Sequence, residues 1–169
     1  MFSRRTTCMK PSHAHGFTLI ELMVTVAVMG ILAIVAMPSM AALVTNSRVS
    51  GQTEELVTSL QLARAEAIRR NARVTVCAGA AGVCSGSTTW SGWTIFGRDN
   101  TAATPVDDVI RDTTASASMQ VTGPTGGIVY RPSGMIDTQQ TLQVDSDGNM
   151  RCLAVLVSGV VTVTKGACP

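Results

Sequence analysis

Histidine is almost missing from this chain. The two copies, His13 and His15, both precede residue 17, and from Phe17 onward there is none. Lysine is nearly as scarce: past the N-terminal segment, Lys165 stands alone. Ser-His-Asp and Cys-His nucleophile arrangements and histidine-ligated metals are thereby excluded from the body of the protein. No P-loop or dinucleotide-binding glycine motif is present, and no cysteine pair has the C-x-x-C spacing of a zinc site. Asp107, Asp108 and Asp112 come nearest to paired carboxylates, but they read as a loop flanking an edge strand. No catalytic constellation converges, so a non-enzymatic protein without cofactor or metal is expected.

An excess of one charge sign is missing too. The formal net charge is +2, from 13 basic and 11 acidic side chains. Three of the basic residues, Arg4, Arg5 and Lys10, lie in the first sixteen positions, which contain no acid. The remainder is balanced, and no general electrostatic case for nucleic acid exists.

What the chain does have is a long apolar run. From Phe17 to Met37 the only charged residue is Glu21. As a helix this segment spans about 31 Å, the hydrocarbon thickness of a bilayer. A carboxylate in such a segment is costly and therefore a functional candidate. The basic leader ahead of it satisfies the positive-inside rule, with the N-terminus cytoplasmic and the rest outside. A secretory signal would instead carry a shorter apolar core followed by its cleavage site.

The box Gly16-Phe17-Thr18-Leu19-Ile20-Glu21 resembles the class III signal of type IV pilins and type II secretion pseudopilins. That resemblance implies cleavage by a prepilin peptidase between Gly16 and Phe17, and N-methylation of Phe17. Gly16 leaves the scissile bond free of a side chain. The new amine at Phe17 lies one helical turn from Glu21, and the resemblance pairs Glu21 with the Phe17 amine of a neighbouring subunit. Gly30 costs a helix about 1 kcal/mol relative to Ala, and Pro38 cannot donate to the carbonyl of Ile34. The family has Gly and Pro at matching places, where the helix can melt in the filament; an ordinary transmembrane kink is the plainer account.

Loss of the leader removes Cys8 and leaves Cys77, Cys84, Cys152 and Cys168. Four cysteines in an exported domain suggest disulfides and permit three pairings. The local pairs Cys77–Cys84 and Cys152–Cys168 are preferred, the second pinning the C-terminal strand.

Past Pro38 the helical pattern continues. Val49, Leu56, Leu60, Ala63 and Ala67 draw one apolar stripe, with Glu54, Gln61 and Arg64 opposite and Glu66–Arg70 as an i,i+4 pair. The helix is expected to fade near Arg70-Asn71. Short strands are expected at 73–77, 93–96, 106–111, 128–131, 141–144, 152–157 and 160–164, separated by turn residues. Asp145-Ser146-Asp147-Gly148-Asn149 has alternating carboxylates, as a calcium loop does. It is short, has no downstream Glu, and reads as a hairpin turn. The fold class is α+β, type IV pilin-like: one long N-terminal helix packed on an antiparallel β-rich head. Its segments are a leader (1–16), a transmembrane helix (17–37), its amphipathic continuation (38–72) and a periplasmic head (73–169).

Leu62-Ala63-Arg64-Ala65-Glu66-Ala67-Ile68 leading into Val74-Thr75-Val76-Cys77 resembles the GspH/FimT branch of that family, as does Gly92-Trp93-Thr94-Ile95-Phe96. Tyr130-Arg131-Pro132-Ser133-Gly134 is similar more loosely. Leu62, Ala63, Ala67, Trp93 and Phe96 also read simply as core. The resemblance implies a minor pilin or pseudopilin in the inner membrane, assembling with other pilins into a type IV pilus or a type II secretion pseudopilus. The alternative is DNA capture for transformation, which some FimT-type pilins perform through a C-terminal G-R-x-R motif. Here that stretch reads Ser158-Gly159-Val160-Val161-Thr162, flanked by Arg151 and Lys165 alone. Arg69, Arg70 and Arg73 form the other basic group, more consistent with a helix C-terminus. So few dispersed cations bind phosphate weakly at physiological salt.

Overall fold

The computed structural model describes residues 16–99 and 106–169. The leader assignment, apart from Gly16, lies outside the described residues. One helix, α1 (Leu19–Arg70), precedes nine strands: β1 (Val74–Ala80), β2 (Val83–Cys84), β3 (Gly92–Asp99), β4 (Val106–Thr114), β5 (Gln120–Thr122), β6 (Ile128–Tyr130), β7 (Gln140–Ser146), β8 (Asn149–Val155) and β9 (Val161–Lys165). The chain divides into two compact units, Met1–Ala41 and Ala42–Pro169.

In the first unit, Thr18 starts the helix. Its hydroxyl accepts the backbone N–H of Glu21 at 3.3 Å, and its carbonyl accepts that of Leu22 at 3.2 Å. The helical assignment runs unbroken through Gly30 and Pro38. The described side chains from Phe17 to Ile34 are all exposed.

The second unit is a two-sheet head around the rest of α1. The expected stripe is the buried face: Val49, Leu56, Leu60, Ala63 and Ala67 are all fully buried. They share one core with Val74, Val76, Trp93, Ile95, Ile128 and Tyr130 from one sheet and Val121, Leu142, Val144, Leu153 and Val155 from the other. Removing so many apolar side chains from water is what holds α1 against both sheets. The helix ends as expected. Asn71 takes the left-handed conformation (φ 47°), and the N–H of Ala72 bonds back to the carbonyl of Ala67 at 3.2 Å, a cap that Asn tolerates.

The first sheet runs β2-β1-β3-β4, with β6 also paired to β1. β6 takes the Val74–Val76 half of β1 and β2 takes Gly79–Ala80, both on the edge opposite β3. The second sheet runs β5-β7-β8-β9, antiparallel throughout. All seven expected strands form, with shifted ends. β2 and β5 are additional; they are two and three residues long, and a segment so short has no periodicity to detect. Between β7 and β8, Asp147 (φ 50°) and Gly148 (φ 79°) make a tight hairpin turn, the conformation Asp-Gly favours.

Two expectations need correction. Phe96 is only half-buried, because Trp93 and Ile95 take the core face and the register of β3 against β4 shifts between Ile95 and Phe96. Arg64, expected opposite the apolar stripe, has its Nε sealed from solvent. The turns around Gly134 and Gly159 cover it.

Candidate processing and assembly site

The residues of the N-terminal box sit where a protease and neighbouring helices could reach them. Gly16 precedes the helix, and Phe17 is 81% exposed. Thr18 and Glu21 hold the first and fourth places of an N-terminal cap, the S/T-x-x-E pattern. Sequence reasoning treated Glu21 only as an assembly charge, although the Thr18-Leu19-Ile20-Glu21 spacing already signals this cap. A carboxylate in the first turn also faces the positive end of the helix dipole.

On both sides of Glu21 in the sequence the helix surface is largely apolar, with Leu19, Ile20, Met29 and Ile34 all exposed. A helix that is hydrophobic all round needs lipid or other helices as its surroundings. No helix among the described residues is long and apolar enough to cross a membrane.

In the head, the junction between α1 and the first sheet is an ion-pair network. Glu66 accepts Nε and Nη2 of Arg69 at 3.0 and 2.7 Å, and Nε of Arg70 at 2.7 Å. Hydrogen bonds from Arg69 and then Arg70 hold its carboxyl down at about 2, against an ordinary 4.5. The Arg70 guanidinium, which also reaches Asp108, is raised above its usual value, chiefly by Glu66.

The five cations considered for DNA contact are not gathered into one basic surface. Arg69 and Arg70 are engaged with acids, and Arg73 is exposed at the head of β1. Arg151 donates to Asn46 Oδ1 at 2.6 Å on α1, and Lys165 lies opposite it in the β8–β9 register. Cys77 is bonded to Cys84 and Cys152 to Cys168, the preferred pairings.

Two grooves on the head are chemically plain. A groove of about 450 Å³ beside α1 has Glu54 and Arg151 as its charged lining, and one of about 370 Å³ near Cys168 has none. Among the described residues no group of three His, Cys, Asp or Glu converges.

A long N-terminal helix whose second half is buried in an antiparallel two-sheet head is the type IV pilin-like architecture. Two solved structures share it. The type IV minor pilin FimU of Pseudomonas aeruginosa is 18% identical with a TM-score of 0.53, covering 68% of this chain and 91% of that one. The minor pseudopilin EPSH from the type II secretion system of Vibrio cholerae is 12% identical with a TM-score of 0.51, covering 74% and 99%. No curated protein matches the sequence. Residues 52–160 match the family of type II transport protein GspH, and residues 11–37 match the prokaryotic N-terminal methylation motif. The chain therefore belongs to the GspH family, the minor pilins and pseudopilins.

Proposed function

We propose that prepilin peptidase cuts the chain between Gly16 and Phe17 and methylates the new amine of Phe17. The mature chain is a single-pass inner-membrane protein with residues 17–37 in the bilayer, its N-terminus cytoplasmic and its head periplasmic. It is a non-enzymatic subunit of a type IV pilus or a type II secretion pseudopilus. Glu21 is its register charge, answered by the Phe17 amine of a neighbour, and the helix between Gly30 and Pro38 is the segment that yields on assembly.

One observation carries this reading: a methylation motif at 11–37 and a GspH head at 52–160 occur in one chain. The exposed apolar helix within the first of these stretches supports it, because such a surface is stable only in lipid or against other helices. The test is the N-terminal peptide of the membrane-extracted chain, read by mass spectrometry in wild type and in Gly16→Leu. The wild type is expected to begin at methylated Phe17, and the variant to remain full-length. A variant that still begins at Phe17 refutes the assignment.

A further inference from the structure

The stretch of α1 that first meets the head is made of poor helix formers. Among residues 45–53 only Arg48 and Gln52 have high helix propensity, whereas residues 60–67 are all strong helix formers. Gly51 is the weakest of the stretch, and neither space nor backbone requires it. A Cβ built there meets no atom within 4 Å, and its φ lies outside the left-handed range. Alanine would fit and hold the helix more firmly. Two residues on, the Thr53 hydroxyl donates to the carbonyl of Val49 at 2.7 Å, a side-chain bond that weakens and bends helices.

Packing beside this stretch is incomplete. Ser50, Thr53 and Val57 of α1 line the groove of about 450 Å³ together with Arg151 of β8 and Val163 of β9. Val163 stands opposite the fully buried Leu153 in the β8–β9 register and is nonetheless 45% exposed, so α1 leaves that end of the sheet uncovered. Arg151 reaches across to α1, where its Nη2 donates to Asn46 Oδ1 at 2.6 Å. On the other side of Gly51 the helix is held firmly. Gln52 Oε1 accepts the N–H of Ser116 at 3.0 Å, and Leu56, Leu60, Ala63 and Ala67 are fully buried. From Asn46 to Ser50, Val49 alone is buried.

We propose that Gly51 is a hinge and the Arg151–Asn46 bond its latch. The turn Asn46–Ser50 opens from the head as a unit, breaking that bond and withdrawing Val49 from the core, while residues 52–70 stay docked. Few buried contacts, a glycine with no packing role and an unfilled groove alongside place this turn at the low-stability end of the head. Opening redirects the first turns of the head's helix without unfolding either sheet. The device is separate from the Gly30–Pro38 segment, and it holds whether or not the chain is processed and assembled as proposed above.

The test is native-state amide exchange of the full-length chain in detergent, followed by mass spectrometry over a series of low urea concentrations. Peptides over 46–53 are expected to exchange at least tenfold faster than those over 56–68, and with little dependence on urea, as a local opening requires. Gly51→Ala should slow the 46–53 exchange about fivefold. Arg151→Ala should hasten it and leave 56–68 protected, with both disulfides retained. Exchange of 46–53 at the rate and urea dependence of 56–68 overturns the proposal, because the helix then opens only with the whole head. A separate opening that Gly51→Ala leaves unchanged removes the hinge. One that Arg151→Ala leaves unchanged removes the latch.

Discussion

Arg70 joins the last turn of α1 to β4 by reaching Asp108, 38 positions further along the chain. Its Nη1 and Nη2 both lie 3.1 Å from Asp108 Oδ2, while its Nε holds Glu66 one turn back. The side chains of Arg70 and Glu66 are 14% and 16% exposed, and that of Asp108 is 56% exposed. The inner pair therefore stabilises more than the outer one, which water screens.

This network predicts a pH dependence. The carboxyl of Glu66 titrates lower in the folded chain than unfolded. Its contribution is complete above its ordinary value of 4.5 and disappears as pH falls toward about 2. Glu66→Gln should cost about 1 kcal/mol near neutral pH, a drop of roughly 4 °C in Tm. Melting curves of the detergent-solubilised chain and the variant should converge near pH 2. A difference that stays constant across this range would remove Glu66 from the account.

The two disulfides should differ in weight. Cys152–Cys168 spans 16 positions and Cys77–Cys84 spans 7. By loop closure the first contributes about 3 kcal/mol and the second about 2 kcal/mol. The double serine variant at 152 and 168 should be the less stable in denaturant titration. Its amide exchange should rise first in β9, which is an edge strand paired only to β8. Equal losses, or exchange spread evenly over the head, would contradict this.

Glu21→Val separates membrane insertion from assembly. The variant makes the segment more apolar and better suited to lipid, so membrane extraction and cleavage should remain at wild-type levels. Its amount in sheared filaments should fall to background. Thr18→Ala is the control, since it removes the cap hydroxyl and keeps the carboxylate; it should weaken the first turn by about 1 kcal/mol and leave assembly intact. Loss of assembly in Thr18→Ala alone would make Glu21 a capping residue first.

The sequence by itself determined whatever repeats locally or is covalently marked. Helical spacing exposed the buried face of α1 from Val49 to Ala67, and Asp147-Gly148 marked its hairpin because the turn is a property of those two residues. The cysteines narrowed to two local pairs, and Gly16 to Glu21 stood out because one carboxylate breaks an apolar run. Tertiary structure decided what depends on partners far along the chain. β2 and β5 exist because β1 and β7 offer them backbone groups, and β6 reaches β1 from 56 positions away at Val74↔Tyr130. The Arg70–Asp108 bond and the covering of Arg64 belong to the same class. In the sequence Arg64 is a cation on the polar side of a helix; in the fold, two glycine turns with no local relation to it close over its Nε. Periodicity along a chain reports which face is apolar, and only packing reports what comes to lie against the other one.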